Sequence, residues 1–231
     1  MRAAAAIAAV QERSHSVGQG IWREEHIPGT PDNNMNTDTR LFEAVRDGRV
    51  LCPLVRVYTW DRPSVSLGRL QDEERVRAEF PGLPLVRRPT GGLAVRHGED
   101  LTITVVTRTE WLPPSGGQGV LASYRQIMDG LLQAFVALGI AARLGGSACA
   151  RQRGSVDCFA SVADCDATES ATGRKLVGSA QRRERGAILQ QMSIPLAGLP
   201  DGGQLARHAR RGLGQALGVA EWLFVDSLSP V

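Results

Sequence analysis

Two strand-like runs standing back to back in the C-terminal third constrain this chain's architecture more than any other feature. In the stretch TGRKLVGSAQRRERGAILQQ, Thr172 to Gln191, alternating runs flank Glu184 to Gly186, a turn short enough to read as a hairpin. A parallel pair would need a crossover of a dozen or more residues, so at least this part of the sheet is antiparallel. Lys175 is the odd member, a lysine between apolar neighbours in a run that otherwise reads as half buried, with Gly178 and Ser179 just beyond it. Taken alone, that position suits the solvent face of an ordinary hairpin.

More strands group in the middle of the chain. PLVRVYTW and SVSLGRL alternate with period two, and Asp61 to Pro63 reads as the turn between them. LPLVRRPTGGLAVRHGEDLTITVVT then reads as a strand, a Gly-Gly loop, a short strand, a turn at Gly98 to Asp100 and a longer strand from Leu101 to Thr107. Helices surround these runs. PDNNMNTDTRLFEAVRDGR reads as one, with Asp32 or Asn33 as N-cap, Leu41, Phe42 and Val45 on one face and Gly48 closing it. Gln71 to Glu79 suits a surface helix. Between Val120 and Leu138, Leu121, Tyr124, Met128, Leu131, Phe135 and Leu138 fall at helical steps and Gly139 ends the run. A last amphipathic helix lies near Leu205 to Leu217, and Gly145 to Ala171 is polar and small-residue rich. There is no βα alternation, so the expectation is an α+β fold with a mixed, mostly antiparallel sheet flanked by helices.

At 231 residues, 42% hydrophobic and 22% charged, the chain can bury a full core as one domain. Residues 1–21 read as a poorly ordered N-terminal extension and 22–231 as that domain. The balance of 27 basic against 24 acidic residues is close, and the arginines are scattered, which argues against nucleic acid and suits an acidic protein partner. Cys52, Cys149, Cys158 and Cys165 include no C-x-x-C pair and no His cluster, so neither zinc nor a disulfide framework is signalled, and a reducing cytosol fits. MRAAAAIAAVQERSH reads as a frayed or extended start rather than a secretory signal, and no run approaches the roughly 20 apolar residues of a membrane span. A cytoplasmic protein without a membrane partner is expected.

Three patches could do chemistry. In RRPTGGLAVRH, Gly91 and Gly92 allow close backbone approach and leave N–H groups available, flanked by Arg88 and His97; a plain Gly-Gly turn would look the same. In SVDCFASVADCD, Cys158 or Cys165 could be a nucleophile if a nearby cation favours the thiolate, or merely a small apolar side chain. Lys175 could orient a carbonyl, neutralise a phosphate or stabilise a thiolate.

Together the patches match a family. RRPTGGLAVRH, then LTITVV, CFAS and GRKLVGSAQRRERGAILQ in that order resemble the lipoate-protein ligase and octanoyltransferase family, which shares its catalytic fold with biotin protein ligase. NMNTD at Asn34 to Asp38 and TWDRPSVSLGRLQ at Thr59 to Gln71 resemble its N-terminal signatures, so the likeness runs from about Trp22 to Leu217. The resemblance implies that Lys175 meets the reactive carbonyl end of an acyl group. It implies that Gly91, Gly92 and His97, with Arg88, wall one side of the acyl site, and that Gly178, Ser179 and Ala180 wall the other. Cys158 aligns with the nucleophile of the cysteine-lysine octanoyltransferases, 17 residues before Lys175.

The activity so implied is octanoyl transfer from acyl carrier protein, through a Cys158 thioester, to the lysine of a lipoyl domain such as a glycine-cleavage H protein or a dehydrogenase E2 subunit. No cofactor is needed on that route. The alternative within the family is an ATP- and magnesium-dependent lipoate ligase using a separate accessory protein, and a third reading is a lapsed acyl-binding homologue. Only about a dozen residues follow Leu217, where many ligases carry an accessory domain, which favours the transferase. Departures from the pattern are Leu93, where a third glycine or an arginine is common, and Gln191 and Met192, where a His-Gly turn is common.

Overall fold

The computed structural model describes residues 18–114, 119–145, 156–160, 166–199 and 201–225. In chain order these form β1 (Gln19–Glu24), α1 (Pro31–Arg46), β2 (Leu54–Tyr58), β3 (Ser64–Leu67), α2 (Glu73–Glu79), β4 (Leu85–Arg87), β5 (Val95–His97) and β6 (Asp100–Arg108). There follow α3 (Val120–Ala137), β7 (Ala142–Leu144), β8 (Ala167–Glu169), β9 (Lys175–Glu184), β10 (Ala187–Pro195), α4 (Gly202–Leu217) and β11 (Glu221–Phe224). Short 3-10 turns cover Thr109–Trp111 and Cys158–Ala160. β1 takes in Gln19, Gly20 and Ile21, three residues that the sequence reading placed in the extension, and residues 1–17 lie outside those described.

An eight-stranded sheet runs in the order β11-β1-β2-β6-β10-β9-β8-β7. β1 pairs parallel with β2 and β11, and every other pairing in this sheet is antiparallel. The expected hairpin is β9–β10, closed by Arg185 and Gly186, both at positive φ. Its neighbour β6 pairs with β10 along nine residues, from Ala187 opposite Arg108 to Pro195 opposite Asp100. Period two then divides the side chains. Ile103, Val105, Ile188, Met192 and Ile194 face α3 and α4, whereas Val106 and Leu189 face Leu41, Phe42 and Val45 of α1.

The stripe of α3 is set by Ile127, Met128, Leu131, Ala134 and Phe135, all buried, while Leu121 is exposed. α3 and α4 cross at two glycines. A Cβ on Gly212 would stand 2.0 Å from the Gly130 carbonyl oxygen, so the backbones touch where no side chain fits. α1 begins two to three residues earlier than expected. Its N-cap is Thr30, whose hydroxyl accepts from Asn33 N–H, because Pro31 lacks an N–H and suits the first helical turn.

The Asp61 to Pro63 segment does not close a β2–β3 hairpin. β3 leaves the main sheet for a second one of order β4-β3-β5, parallel to β4 and antiparallel to β5. This small sheet carries the Gly-Gly loop between β4 and β5 toward the open face of β9 and β10. β8, inside the stretch that reads as merely polar, extends the large sheet beyond β9. No helix among the described residues is long and apolar enough to cross a membrane.

Candidate active site

A pocket of about 410 Å³, its open mouth included, lies between the two sheets. Met35, Tyr58, Trp60, Val95 and Met192 give it apolar walls, and Arg88, Gly92, His97, Cys158, Gly178, Ser179 and Ala180 also line it. These seven came from the sequence; Gly91 and Lys175 do not line the pocket, and each is tied to a lining residue.

Cys158 sits on the 3-10 turn. Its N–H donates to Ala94 O at 2.7 Å, and Ala94 N–H donates to Val156 O at 2.7 Å, so the turn is clipped to the residue before β5. Asp157 Oδ1 accepts from Phe159 N–H at 2.9 Å, which shapes the turn itself. From TWDRPSVSLGRLQ, Gln71 reaches across to Val156 O at 3.1 Å. The thiol is half buried. Cys165, the second thiol of that stretch, lies outside the described residues.

Lys175, at the start of β9, is turned inward rather than to solvent. Its Nζ donates to Cys158 O at 2.8 Å and lies 3.3 Å from Cys158 Sγ, inside hydrogen-bonding range for sulfur. The ammonium also lies 4.9 Å from the Phe159 ring centroid, a cation–π contact. A third partner is Asp166, whose Oδ2 is 2.7 Å from Nζ, with both side chains nearly inaccessible. Asp166 Oδ1 accepts from Ser179 N–H at 3.3 Å, so the carboxylate is braced against the strand that carries the lysine. Sequence reasoning missed Asp166. An acid in a polar stretch reads as surface, and only the β8–β9 pairing brings it to Lys175.

Arg88 is buried, and burial pulls its guanidinium down to about 10, against smaller upward pulls from Cys158, Tyr124 and Tyr58. It donates to Ser66 O at 2.8 Å, to Ser66 Oγ at 3.3 Å, and to Gly91 O and Leu93 O at 2.6 Å each. It therefore grips the Gly-Gly loop from behind. Leu93 serves through its backbone carbonyl, which any residue supplies, so its departure from the usual pattern leaves this grip intact. Gly92 has φ +85°, and a Cβ on Gly68 would meet Gly92 O at 2.0 Å, so both positions require glycine. Among the described residues, neither Gly91 nor Gly92 N–H donates a hydrogen bond to protein.

His97 stacks on Trp60 with ring centroids 3.8 Å apart. Its Nδ1 is 2.8 Å from Asp100 Oδ2 and its Nε2 2.8 Å from Ser66 Oγ. Burial pushes the Asp100 carboxyl up, but His97 and bonds from Ser193 and Gly98 carry it below the ordinary carboxylate range. An ionised Asp100 only accepts, so Nδ1 is the donor in this bond. His97 thus fixes the wall made by β3, β5 and Trp60.

Gln191 is not in a turn. It lies mid-strand in β10, where its Nε2 donates to Asp38 Oδ2 at 2.6 Å and its Oε1 accepts from Thr90 Oγ1 at 2.7 Å. Asp38, wholly buried, also accepts from Arg56 at 2.7 Å and from Tyr58 and Thr104 at 2.8 Å each. NMNTD is thereby coupled through Gln191 to the residue preceding the Gly-Gly loop. Among the described residues no group of three or more His, Cys, Asp or Glu is gathered as metal ligands would be.

Octanoyltransferase LipM of Symbiobacterium thermophilum is 41% identical over 182 residues, which is 74% of this chain and 62% of that relative. LipM of an Exiguobacterium strain is 33% identical over 176 residues, 73% of this chain and 63% of that relative. The chain thus spans less than two thirds of the length of these curated relatives. Among solved structures, a Thermoplasma acidophilum bi-partite lipoate protein ligase, studied with its E2 lipoyl domain, superposes with a TM-score of 0.62 at 18% identity, covering 90% of this chain and 86% of that one. The family described as Lipoyl protein ligase A/B catalytic domain matches residues 30–203, and the chain belongs to that family.

Proposed function

We propose that the protein is an octanoyltransferase of lipoate biosynthesis that carries the acyl group as a thioester on Cys158. The observation that supports this most is the Lys175 ammonium 3.3 Å from the half-buried Cys158 thiol, on the wall of a largely apolar pocket. The relatives named octanoyltransferase point the same way. Cys158 Sγ attacks the carbonyl carbon of octanoyl-acyl carrier protein, the carbon–sulfur bond to the carrier breaks, and the carrier thiol leaves with a proton. The lysine amine of a lipoyl domain then attacks the Cys158 thioester, forming the amide and returning the cysteine. Oxygen charge developing at the carbonyl is met by the Gly91 and Gly92 N–H groups or by Lys175. Neither ATP nor a metal enters this route. The acceptor is an H protein or an E2 lipoyl domain, a class also found with the Thermoplasma ligase. A cytoplasmic setting keeps Cys158 reduced.

Intact-protein mass spectrometry after mixing with octanoyl-acyl carrier protein, without ATP, tests the reading. The expected result is an octanoyl adduct that hydroxylamine removes and that Cys158→Ser lacks. No adduct, with octanoylation of a lipoyl domain only from octanoate and ATP, would assign the protein as a ligase instead; inactivity under both conditions would leave an acyl-binding homologue.

A further inference from the structure

We propose that Asp166 guards the enzyme against its own intermediate: by holding Lys175 as an ammonium, it stops that side chain from taking the octanoyl group off Cys158. This rests on Cys158 carrying the acyl group as a thioester. The second step is attack of a lysine amine on that thioester, and Lys175 is itself a lysine whose Nζ lies 3.3 Å from Cys158 Sγ. As a free amine it would stand within attacking range of the carbonyl carbon bonded to that sulfur, ahead of any acceptor that must diffuse in. Nζ would bond the carbonyl carbon, the carbon–sulfur bond would break, and the proton lost by nitrogen would pass to the departing thiolate. The product, an octanoyl amide on Lys175, has no return path to the thioester and would end turnover.

The geometry keeps the nitrogen protonated. Three acceptors surround Nζ: Asp166 Oδ2 at 2.7 Å, Cys158 O at 2.8 Å and Cys158 Sγ at 3.3 Å. An ammonium has three N–H groups to give them, whereas a neutral amine has two, and its lone pair would face one of the acceptors. Burial by itself favours the neutral amine, and the adjacent carboxylate opposes that. Acylation of Cys158 removes any negative charge on the sulfur, so Asp166 is an anion that remains beside Nζ in both steps.

Asp166 is well held for this task. It is 2% exposed, Oδ1 accepts from Ser179 N–H at 3.3 Å, and its carbonyl accepts from Gly145 N–H at 2.7 Å. The β8–β9 ladder skips Leu176, with Ala167 opposite Val177 and Thr168 opposite Lys175, and such an irregularity re-aims the side chain beside it. Other charged groups lining the pocket are engaged elsewhere: Arg88 binds the Gly-Gly loop and His97 binds Asp100. Asp166 is thus a positioning residue acting through Lys175, whose N–H groups stay directed at Cys158 and available to the thioester oxygen.

The test follows where the acyl group ends up. The full chain is acylated with the octanoyl thioester of N-acetylcysteamine, a small donor that needs no carrier recognition, and held without acceptor before hydroxylamine treatment and peptide mapping. Lys175 is the only lysine in the sequence, so an amide on its peptide has one side-chain address. The parent should hold the group on Cys158, labile to hydroxylamine. Asp166→Asn should form a hydroxylamine-resistant amide on Lys175 at least about tenfold faster than the parent. Asp166→Glu should restore lability, and Asp166→Asn combined with Cys158→Ala should give no amide. A merely structural role for Asp166 would lower transfer without creating that amide. Equal amide formation in parent and Asp166→Asn, labile adducts in both, or an amide that forms without Cys158 would each overturn the proposal. If Asp166→Asn does not fold, Asp166→Ser is read by the same criterion. A parent that gains no labile adduct fails at the Cys158 reading itself, a different signature, and the guard falls with it.

Discussion

Two cysteines in the described residues illustrate how environment assigns chemistry. Cys52 is 4% exposed within the α1 core, and burial pushes its thiol up to about 11, so it behaves as a small apolar side chain. Cys158 is half buried at a pocket, beside an ammonium. At pH 8, iodoacetamide should label Cys158 at least about tenfold faster than Cys52; equal labelling, seen by mass spectrometry of the two peptides, would show that burial does not separate them. Cys158 and Lys175 were legible because CFAS and GRKLVGSAQ are short, ordered motifs. Asp166 was not, since a carboxylate nine residues before a lysine carries no local signal.

At the scale of elements, close backbone approach does what side-chain packing cannot. Gly212→Ala would drive a methyl into the Gly130 carbonyl and should cost about 2–3 kcal/mol, whereas Gly202→Ala at the start of α4, where the nearest atom is 3.5 Å away, should be nearly neutral. Urea unfolding of both variants checks this, and similar losses would mean the α3–α4 crossing has room to spread. In the same way Gly68→Ala would push Gly92 from its place. The expected result is a loss of the proposed octanoyl transfer of at least about tenfold with the main sheet intact by circular dichroism; unchanged turnover would show that the loop need not sit there. Period two and helical spacing located most of these elements in the sequence. They did not reveal that β2 and β3 part company, because alternation identifies a strand without naming its partner.

For the molecule as a whole, buried and half-buried carboxylates tie the layers together and set its response to acid. Asp100 joins β6 to His97 and to Ser193 of β10, and Glu25 forks onto the buried Arg56. Burial raises the Glu25 carboxyl, but Arg56 and Arg23 bring it below its ordinary value, as His97 and its neighbours do for Asp100. Because both values are depressed on folding, their stabilisation is present above the ordinary carboxylate range near about 4 and is lost as pH falls through the folded values. The urea midpoint should therefore hold between pH 7 and 5 and fall below about 4, less steeply in Asp100→Asn; a midpoint level to pH 3 would refute this. The sequence alone determined the α+β class, the β9–β10 hairpin, the helix faces and the six ordered motifs, since these depend on local spacing and chain order. Only the tertiary structure decided that Lys175 turns inward to Asp166, that Arg88 is buried among carbonyls, and that Gln191 links Asp38 to Thr90. Those facts depend on which strands become neighbours, and neighbours distant in sequence are chosen by the packing of the whole sheet.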